Sequence, residues 1–345
     1  MSDTRSFASD NFAPVHPKVM QAIVDSNRGH AMAYGGDDHT RAVRERFRTL
    51  FGRDVACHFV FNGTAANVLS LMAFQKNYGA VLCSDVSHVA NDESTAPERT
   101  LGMRLIRLPS KDGKITAAQV SAALAHDHGV HWAKPVALSI TQPTELGTVY
   151  GLDELQALAA AAHAHGLGVH MDGARLGCAL EHLGVSVEDM VADIDMLSFG
   201  GTKQGIMCGE AVIVLQPDLA ADFPYWQKNS MQLASKMRFI AAQFEALLDG
   251  DLWLANARHA NAMAGRLRAA VQDLPYVKIE YPVQSNAVFV RLPLDLIEPL
   301  SRHSFFWPWD PTIGLVRWMC SFDTLQRDID EFVAHLRQLA EKLPA

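Results

Sequence analysis

A single lysine, Lys203, stands in a glycine-rich stretch near the middle of the chain, where residues 198–205 read SFGGTKQG. The residues just before it, 194–197, form a mostly apolar run that is typical of a buried strand. A lysine in a desolvated site has a lowered pKa and attacks carbonyl carbons. Lys203 is therefore a candidate for covalent chemistry, and the alternative is a solvated lysine in an ordinary turn.

A carboxylate, Asp172, follows another predicted strand, 167–171, within the sequence HMDGAR (170–175). Open α/β sheets bind ligands at the carboxyl ends of their strands. A carboxylate at that depth needs a cation or a hydrogen-bond donor. The partner of Asp172 is either Arg175 or a cationic ring nitrogen of a ligand, and this motif alone leaves both open.

A third predicted strand, 57–61, is followed by the sequence NGTAAN (62–67), which opens a predicted helix at 65–74. Gly63 permits close approach to the backbone, and Thr64 offers a hydroxyl and a free N–H at the helix N-terminus. Such a terminus favours phosphate through its unpaired N–H groups and its dipole. The alternative is an ordinary cap by Asn62 or Thr64, and neither GxxxxGKS/T nor GxGxxG occurs in this stretch.

Together, the three strand ends supply what pyridoxal 5'-phosphate requires from a protein. That cofactor needs a lysine for its aldehyde, an acid beside its pyridine nitrogen and a phosphate site. Lys203, Asp172 and the Gly63 turn match these needs, and their order fits successive strand–helix units of one sheet. The sequence therefore predicts pyridoxal phosphate as the cofactor.

Alternating strands and helices must position these groups. Strands are predicted at 57–61, 80–84, 104–108, 135–140, 167–171, 196–199 and 211–215, with the clearest helix at 153–165. Apolar runs without strict alternation favour strands that are covered on both faces. Strand–helix alternation favours an α/β domain with a mostly parallel sheet.

The pattern changes after residue 215. Helices are predicted at 227–248, 256–271 and 324–342, and strands at 278–281, 287–291 and 314–319. We therefore predict a large domain over residues 1–248, which includes the N-terminal segment, and a smaller α+β domain over residues 249–345.

Composition narrows the classes of partner. The chain has 345 residues, is 49% hydrophobic and carries a net charge of −8, which disfavours nucleic acid. No apolar run approaches the roughly 20 residues needed to span a membrane, and the polar N-terminus lacks a signal peptide, so a cytoplasmic location is expected. The five cysteines are scattered without a CxxC pair, which predicts free thiols and no metal site.

Segments spread over nearly the whole chain resemble one enzyme family. They are FASDNFAPVHP (7–17), NRGHAMAYGGDDHT (27–40), FNGTAANVLSL (61–71), SDVSHVANDESTAPE (84–98), ITQPTELGTVYGLDEL (140–155), HMDGARLG (170–177), SFGGTKQG (198–205), QLASKMRF (232–239) and VRWMCSFDT (316–324). The sequence resembles the low-specificity L-threonine aldolases, pyridoxal-phosphate enzymes of fold type I, the aspartate aminotransferase type. HMDGAR together with the GGTK lysine is specific, whereas NGTAAN alone is weak.

The resemblance implies a set of cofactor contacts. Lys203 would bond to the cofactor's aldehyde, Asp172 would keep the pyridine nitrogen protonated, and His88 would stack on the ring. The phosphate would be held by Gly63 and Thr64 with help from Asn67, Thr202 and Lys228, and Gln142 would hydrogen-bond the phenolic oxygen. For His88 the alternative is an ordinary surface histidine.

The resemblance also implies a binding site for an amino-acid substrate. Ser9, Arg175 and Arg317 would hold its carboxylate, since arginine suits a bidentate carboxylate contact. Arg317 lies in the second predicted domain, so the substrate would bind between domains, and the alternative is a plain surface strand residue. Tyr34, Asp37 and Asp38 lie in a loop that would reach a neighbouring subunit's site in a homo-oligomer, a tetramer built as a dimer of dimers.

Two features depart from the family or remain open. Where many members carry ENTH, with a histidine near the substrate hydroxyl, this chain has TQPT (141–144). Thr144 cannot act as a base at neutral pH, so His88 or an ordered water remains to take the β-hydroxyl proton. The stretch FFWPWD (305–310) either packs the small domain or shapes the pocket for the β-substituent.

The predicted reaction is retro-aldol cleavage of L-threonine, L-allo-threonine and other L-β-hydroxy-α-amino acids to glycine and an aldehyde, which makes the chain a carbon–carbon lyase. A phenylserine-preferring aldolase and a β-eliminating amino-acid lyase are the nearest alternatives. A binding protein that kept the fold without activity is the alternative from a different class.

Overall fold

The computed structural model describes residues 5–125 and 129–343. Within them the strands are β1 (Ala56–Val60), β2 (Gly79–Ser84), β3 (Arg104–Leu108), β4 (Lys134–Thr141), β5 (Gly168–Gly173), β6 (Met196–Phe199), β7 (Glu210–Val214), β8 (Lys278–Ile279), β9 (Ala287–Arg291), β10 (Trp307–Asp310) and β11 (Leu315–Met319). The α-helices are α1 (Pro17–Ser26), α2 (Asp38–Leu50), α3 (Gly63–Met72), α4 (His88–Asn91), α5 (Ala96–Leu101), α6 (Ala117–Ala125), α7 (Leu152–His163), α8 (Leu176–Leu183), α9 (Val187–Met190), α10 (Phe223–Asn229), α11 (Met237–Leu248), α12 (Leu252–Val271), α13 (Leu294–His303) and α14 (Gln326–Ala340). No helix in these residues is both long and apolar enough to cross a bilayer.

The larger sheet has seven strands in the order β1-β7-β6-β5-β4-β2-β3. Only β7 runs against its neighbours, and β2 through β6 are paired in parallel. This confirms the predicted α/β fold with a mostly parallel, mixed sheet. β2, β6 and β7 are buried at every position, which explains why their sequences are apolar without alternation.

The end of β6 is held rigidly by aromatic packing. The Phe199 ring lies 5.2 Å from the Phe47 ring in an edge-on contact and 5.1 Å from the Trp253 ring. All three side chains are at most 1% exposed. The glycine turn that carries Lys203 therefore leaves the sheet from a fixed point.

The predicted helix over 227–248 is wrong, because the chain breaks between α10 and α11. Met231 takes a left-handed conformation (φ 62°), and the Phe61 N–H donates to Gln232 Oε1 at 3.0 Å. The break thus brings Gln232 to the end of β1, a tertiary contact that helical periodicity does not reveal.

The smaller sheet is antiparallel, in the order β10-β11-β9-β8. β10 was not predicted as a strand; Pro308 is compatible with it because β10 is an edge strand. Phe306, just before β10, is fully buried and packs edge-on against Trp318 at 6.1 Å. Packing therefore accounts for this part of the FFWPWD stretch.

The N-terminal segment packs with the C-terminal part of the chain. The Phe7 ring lies 4.7 Å from the Phe332 ring, and Arg5 forms ion pairs with Asp323 and Asp328. Asp10 of the same segment pairs with Arg175, which follows β5, so the segment contacts both parts of the chain and its assignment to the large domain stays a prediction. The boundary at residue 248 stays a prediction; α11 ends there, and Gly250 in the following turn has a φ of 55°.

Candidate active site

A cleft opens at the carboxyl edge of the larger sheet, where β4, β5 and β6 end and the antiparallel β7 begins. Its walls include Thr141 at the end of β4, Ser198 and Phe199 at the end of β6, and Glu210 at the start of β7. The structure brings six of the predicted site residues to its walls: Gly63, Asn67, His88, Asp172, Arg175 and Lys203. The three strand-end groups that the sequence singled out thus share one cleft.

Asp172 is fixed in the floor of the cleft by β5, between Thr141 of β4 and Ser198 of β6. Its side chain is 4% exposed; Oδ1 accepts the Ala174 N–H at 3.0 Å. Burial alone would raise its pKa, but the neighbouring His88 and Lys203 more than offset this and hold the pKa of Asp172 below its usual range. Asp172 is therefore an ionised carboxylate facing the cleft, not an ion-pair partner of Arg175.

A hydrogen-bonded chain joins Asp172 to His88. Asn67 Nδ2 donates to Asp172 Oδ2 and to Glu93 Oε1, both at 2.8 Å, and His88 Nδ1 lies 2.9 Å from the same Glu93 oxygen. Burial lowers the pKa of His88, but the Glu93 contact outweighs it and leaves that pKa raised. Asn67, expected to help bind phosphate, instead supports the two carboxylates.

The turn that carries Lys203 requires its glycines. A Cβ on Gly200 would stand 2.1 Å from the carbonyl oxygen of Ala174, so no side chain fits there. The Gly201 N–H donates to Glu210 at the start of β7, and burial raises the pKa of Glu210 to about 7. Glu210 thereby ties the turn to the neighbouring strand and lines the cleft beside Lys203.

Helix α3 begins at the mouth of the cleft. Asn62 is its N-cap and accepts the Ala65 N–H, which settles the choice of cap in favour of Asn62. No atom lies within 4 Å of the place where a Cβ on Gly63 would stand. This open space before a helix N-terminus fits a phosphate group. Thr64 is the second residue of the helix.

Thr202 lies in the glycine turn beside Lys203. Its Oγ1 donates a hydrogen bond of 3.3 Å to the Gly209 carbonyl oxygen.

Arg175 pairs with a buried acid that sequence reasoning missed. Its Nε and Nη2 donate to the two carboxylate oxygens of Asp10 at 2.6 and 2.8 Å. Burial would raise the pKa of Asp10, but Arg175 overcomes it and holds that pKa low. The Asp10 carboxylate stands directly after Ser9 in the FASDN segment, but only the fold reveals its partner.

The guanidinium of Arg317, on β11, makes fewer hydrogen bonds than that of Arg175. Its Nη2 donates to the Ala8 carbonyl oxygen at 3.2 Å, and its Nε is buried without a partner among the described residues. Burial and the nearby Arg175 lower its pKa. Ser9 caps the short helical turn 10–12 through the Asn11 N–H. The guanidinium carbon of Arg317 lies 5.1 Å from the centre of the Trp309 ring, so Arg317 packs on an aromatic face while its Nε keeps a free hydrogen-bonding position.

Two residues of the TQPT segment point away from the cleft. Gln142 is fully buried, and its amide bonds the Tyr150 carbonyl oxygen at 2.9 Å and the Tyr150 N–H at 3.0 Å. The role expected of Gln142 at the cofactor's phenolic oxygen does not fit this geometry, because both ends of its amide are already engaged. Thr144 is also buried, and its hydroxyl lies 2.7 Å from that of Thr148.

Tyr34, Asp38 and Lys228 are exposed, and neither they nor Asp37 line this cleft. Asp37 is buried as the N-cap of α2, where it accepts both the N–H and the hydroxyl of Thr40 at 2.8 Å. Asp38 is exposed and pairs with Arg41. The Lys228 ammonium stands 5.2 Å from the centre of the Tyr34 ring.

The sequence matches known proteins over nearly its full length. A model of the beta-eliminating lyase family matches residues 6–293. A protein of Pseudomonas aeruginosa named low specificity L-threonine aldolase is 42% identical, with 97% of both chains covered. The chain belongs to the beta-eliminating lyase family and, within it, to the low-specificity L-threonine aldolases. A second aldolase of that name, from a Pseudomonas species, is 40% identical over the same share of both chains.

The fold of this aldolase-family chain also matches solved structures. A threonine aldolase of Leishmania major superposes with a TM-score of 0.93 at 29% identity, covering 97% of this chain and 99% of that one. Cystalysin of Treponema denticola, whose structure contains pyridoxal 5'-phosphate, has a TM-score of 0.73 at 13% identity, covering 100% and 93%. The second likeness concerns the fold alone, which is fold type I.

Proposed function

We propose that this chain binds pyridoxal 5'-phosphate and cleaves L-threonine, L-allo-threonine and other L-β-hydroxy-α-amino acids to glycine and an aldehyde. The observation that carries the proposal is the meeting of Lys203, Asp172 and the open N-terminus at Gly63 in one cleft. The high identity to proteins named low specificity L-threonine aldolase gives the substrate class.

The residues present fit the cofactor. The space before Gly63 accepts a phosphate at a helix N-terminus, and the ionised Asp172 complements a protonated pyridine nitrogen. Lys203 supplies the amine for the aldehyde, and His88 borders the same space. When bound, pyridoxal phosphate supplies a sink for the electron pair released at the substrate's Cα.

The remaining residues position the substrate. Arg317 offers its unpaired edge to the substrate carboxylate, while Arg175 remains anchored to Asp10. Because Asp10 already neutralises the charge of Arg175, Arg317 supplies most of the positive charge that is available to the substrate carboxylate.

A β-elimination reaction is the second candidate, favoured by the name of the matching family. Product analysis with L-threonine separates the two reactions, since retro-aldol cleavage gives glycine and acetaldehyde in equal amounts and elimination gives a keto acid and ammonia. A keto acid as the main product would overturn the aldolase assignment. The values of kcat/KM for L-threonine and L-phenylserine then show whether the pocket prefers a methyl or a phenyl group on the substrate's β-carbon.

We also propose that the chain forms a homo-oligomer whose neighbouring subunit covers the face around Tyr34 and Lys228. This face carries exposed apolar side chains: Met32 at 74%, Tyr34 at 54%, Tyr225 at 76% and Met231 at 82% exposure. Isolated exposed apolar residues are ordinary, but several on the segments that carry Tyr34 and Lys228 favour an interface. The family resemblance implies a tetramer, and sedimentation measurements of mass test it.

A further inference from the structure

The TQPT segment leads directly into an acidic residue, Glu145. The Thr144 hydroxyl is turned away toward Thr148, which in turn donates to the Asp112 carbonyl oxygen. The next residue, Glu145, faces the cleft and lines it together with Lys203 and His88.

The Glu145 carboxylate is unengaged. Within residues 5–125 and 129–343, no side-chain hydrogen bond or ion pair reaches it, and its side chain is only partly exposed. The other acids around the cleft are each engaged: Asp172 by Asn67, Glu93 by His88, Asp10 by Arg175 and Glu210 by the Gly201 N–H. Glu145 is therefore the acid in the cleft wall that is free to accept a proton.

The charges around Glu145 suit that task. The groups that act on it include His88, Asp172, Lys203, Arg175 and Arg317. Burial raises the pKa of Glu145 above its usual range, and the positive charge of His88 offsets this only in part. A carboxylate with a raised pKa is a stronger base than one in water.

The rival base, His88, is less suited. Its Nδ1 is held by Glu93 at 2.9 Å, and that contact outweighs burial and raises the pKa of His88. A histidine whose proton is stabilised by a carboxylate donates a hydrogen bond more readily than it accepts a proton. His88 thus fits a place over the cofactor ring better than a place at the hydroxyl.

We propose that Glu145 accepts the proton of the substrate's β-hydroxyl in the retro-aldol step, an inference that rests on the proposed function. The O–H bond breaks, and its electron pair forms the aldehyde carbonyl as the Cα–Cβ bond breaks. The pair from that bond stays with Cα, and a proton taken from solvent completes glycine there. The proton held by Glu145 returns to solvent after the aldehyde leaves.

The test compares Glu145→Gln with Glu331→Gln, the same change at an exposed side chain on α14 outside the cleft wall. Three quantities are measured on the cofactor-loaded protein: bound cofactor by its visible absorbance, exchange of the glycine α-proton in D2O by NMR, and kcat/KM for L-threonine against pH. Glycine exchange requires no β-hydroxyl, so it reports the rest of the site.

For Glu145→Gln we expect cleavage to fall by about a hundredfold or more, as for loss of a general base, while glycine exchange and bound cofactor stay within about threefold. The acidic limb of the pH profile should disappear. Glu145→Asp, which keeps a carboxylate, should recover part of the cleavage, and Glu331→Gln should leave every quantity unchanged.

Cleavage that stays within about threefold in Glu145→Gln overturns the proposal, as does an equal loss of cleavage and glycine exchange, which would indicate a structural role. If Glu145→Gln fails to bind the cofactor, the test rests on Glu145→Asp. A Glu145→Asp protein that binds the cofactor but shows no cleavage contradicts the proposal that the carboxylate is the base. A wild-type protein that exchanges glycine but cleaves no β-hydroxy-α-amino acid overturns the proposed function itself, and the role of Glu145 with it.

Discussion

Asn67 holds Asp172 by a hydrogen bond of 2.8 Å from its Nδ2 to the Asp172 Oδ2. The same nitrogen donates to Glu93 at the same distance, so one neutral amide stands between two buried carboxylates. Burial raises the pKa of Glu93, while His88 and Asn67 lower it in part. The amide thus lets Asp172 stay ionised beside a second acid.

Replacing Asn67 with Ala should weaken catalysis without removing the cofactor. The change deletes a hydrogen bond to a charged group, which is worth about 1.5–3 kcal/mol, so the pKa of Asp172 rises and kcat should fall by about tenfold to hundredfold. The visible absorbance of the bound cofactor should shift, because the pyridine nitrogen loses part of its proton. Ser70→Ala is the control, since Ser70 is buried on the same helix and contacts Ser198 instead. An unchanged spectrum and kcat in Asn67→Ala would contradict the role of this amide.

Gly63→Ala should separate the phosphate site from the stability of the fold. A Cβ there meets nothing within 4 Å, so the cofactor-free protein should be at least as resistant to urea as the wild type. The added methyl group occupies the space proposed for the phosphate, so the apparent Kd for pyridoxal phosphate should rise by about tenfold or more. Gly265→Ala, which also meets nothing within 4 Å but lies in the interior of α12, should leave the cofactor affinity unchanged and stabilise the fold by about 0.5–1 kcal/mol. Equal cofactor affinity in the two variants would place the phosphate elsewhere.

Arg317→Gln should raise KM for L-threonine by about tenfold to hundredfold, because a charge-assisted contact to the carboxylate is lost. Absorbance of the bound cofactor should stay unchanged, since Arg317 is proposed to touch only the substrate. Arg291→Gln is the matched control on the adjacent strand β9, where Arg291 pairs with Glu280 at the surface. A similar KM in both variants would remove Arg317 from the substrate site.

Glu210→Gln should change how stability depends on pH. Burial raises the pKa of Glu210 from 4.5 to about 7, so the folded state binds this proton more tightly than the unfolded state. The wild-type protein therefore loses stability, relative to Glu210→Gln, as the pH rises from about 4.5 to 7, and the loss levels off above that range at about 3 kcal/mol at most. Urea unfolding of the cofactor-free proteins at pH 5 and pH 8 measures this. A difference between the two proteins that is the same at both pH values would show that Glu210 is not desolvated.

The sequence was sufficient for features that are set locally. Strand β6, the glycine turn and Lys203 follow one another directly, and Asp172 stands at the end of an apolar run. A parallel sheet then brings such strand ends to one edge. The fold class and the cofactor-binding cleft could therefore be predicted before any contact was known.

Partners that are distant along the chain could not be predicted in this way. Glu93 and Asp10 are ordinary acids in the sequence, and only the fold places them against His88 and Arg175. Glu145 could not be singled out either, because the family pattern points to Thr144, and only the fold shows that the Glu145 side chain lines the cleft. The break before α11 also depends on a tertiary contact, from Phe61 to Gln232.

We propose that Lys203 holds pyridoxal phosphate in a covalent bond. Borohydride reduction of the purified, cofactor-loaded protein, followed by digestion and mass spectrometry, locates that bond. We expect a phosphopyridoxyl group on the peptide that contains Lys203 and none in Lys203→Ala, which should also lose cleavage of L-threonine. A modification on another lysine, or a Lys203→Ala variant that keeps both the reducible cofactor and full turnover, would contradict it.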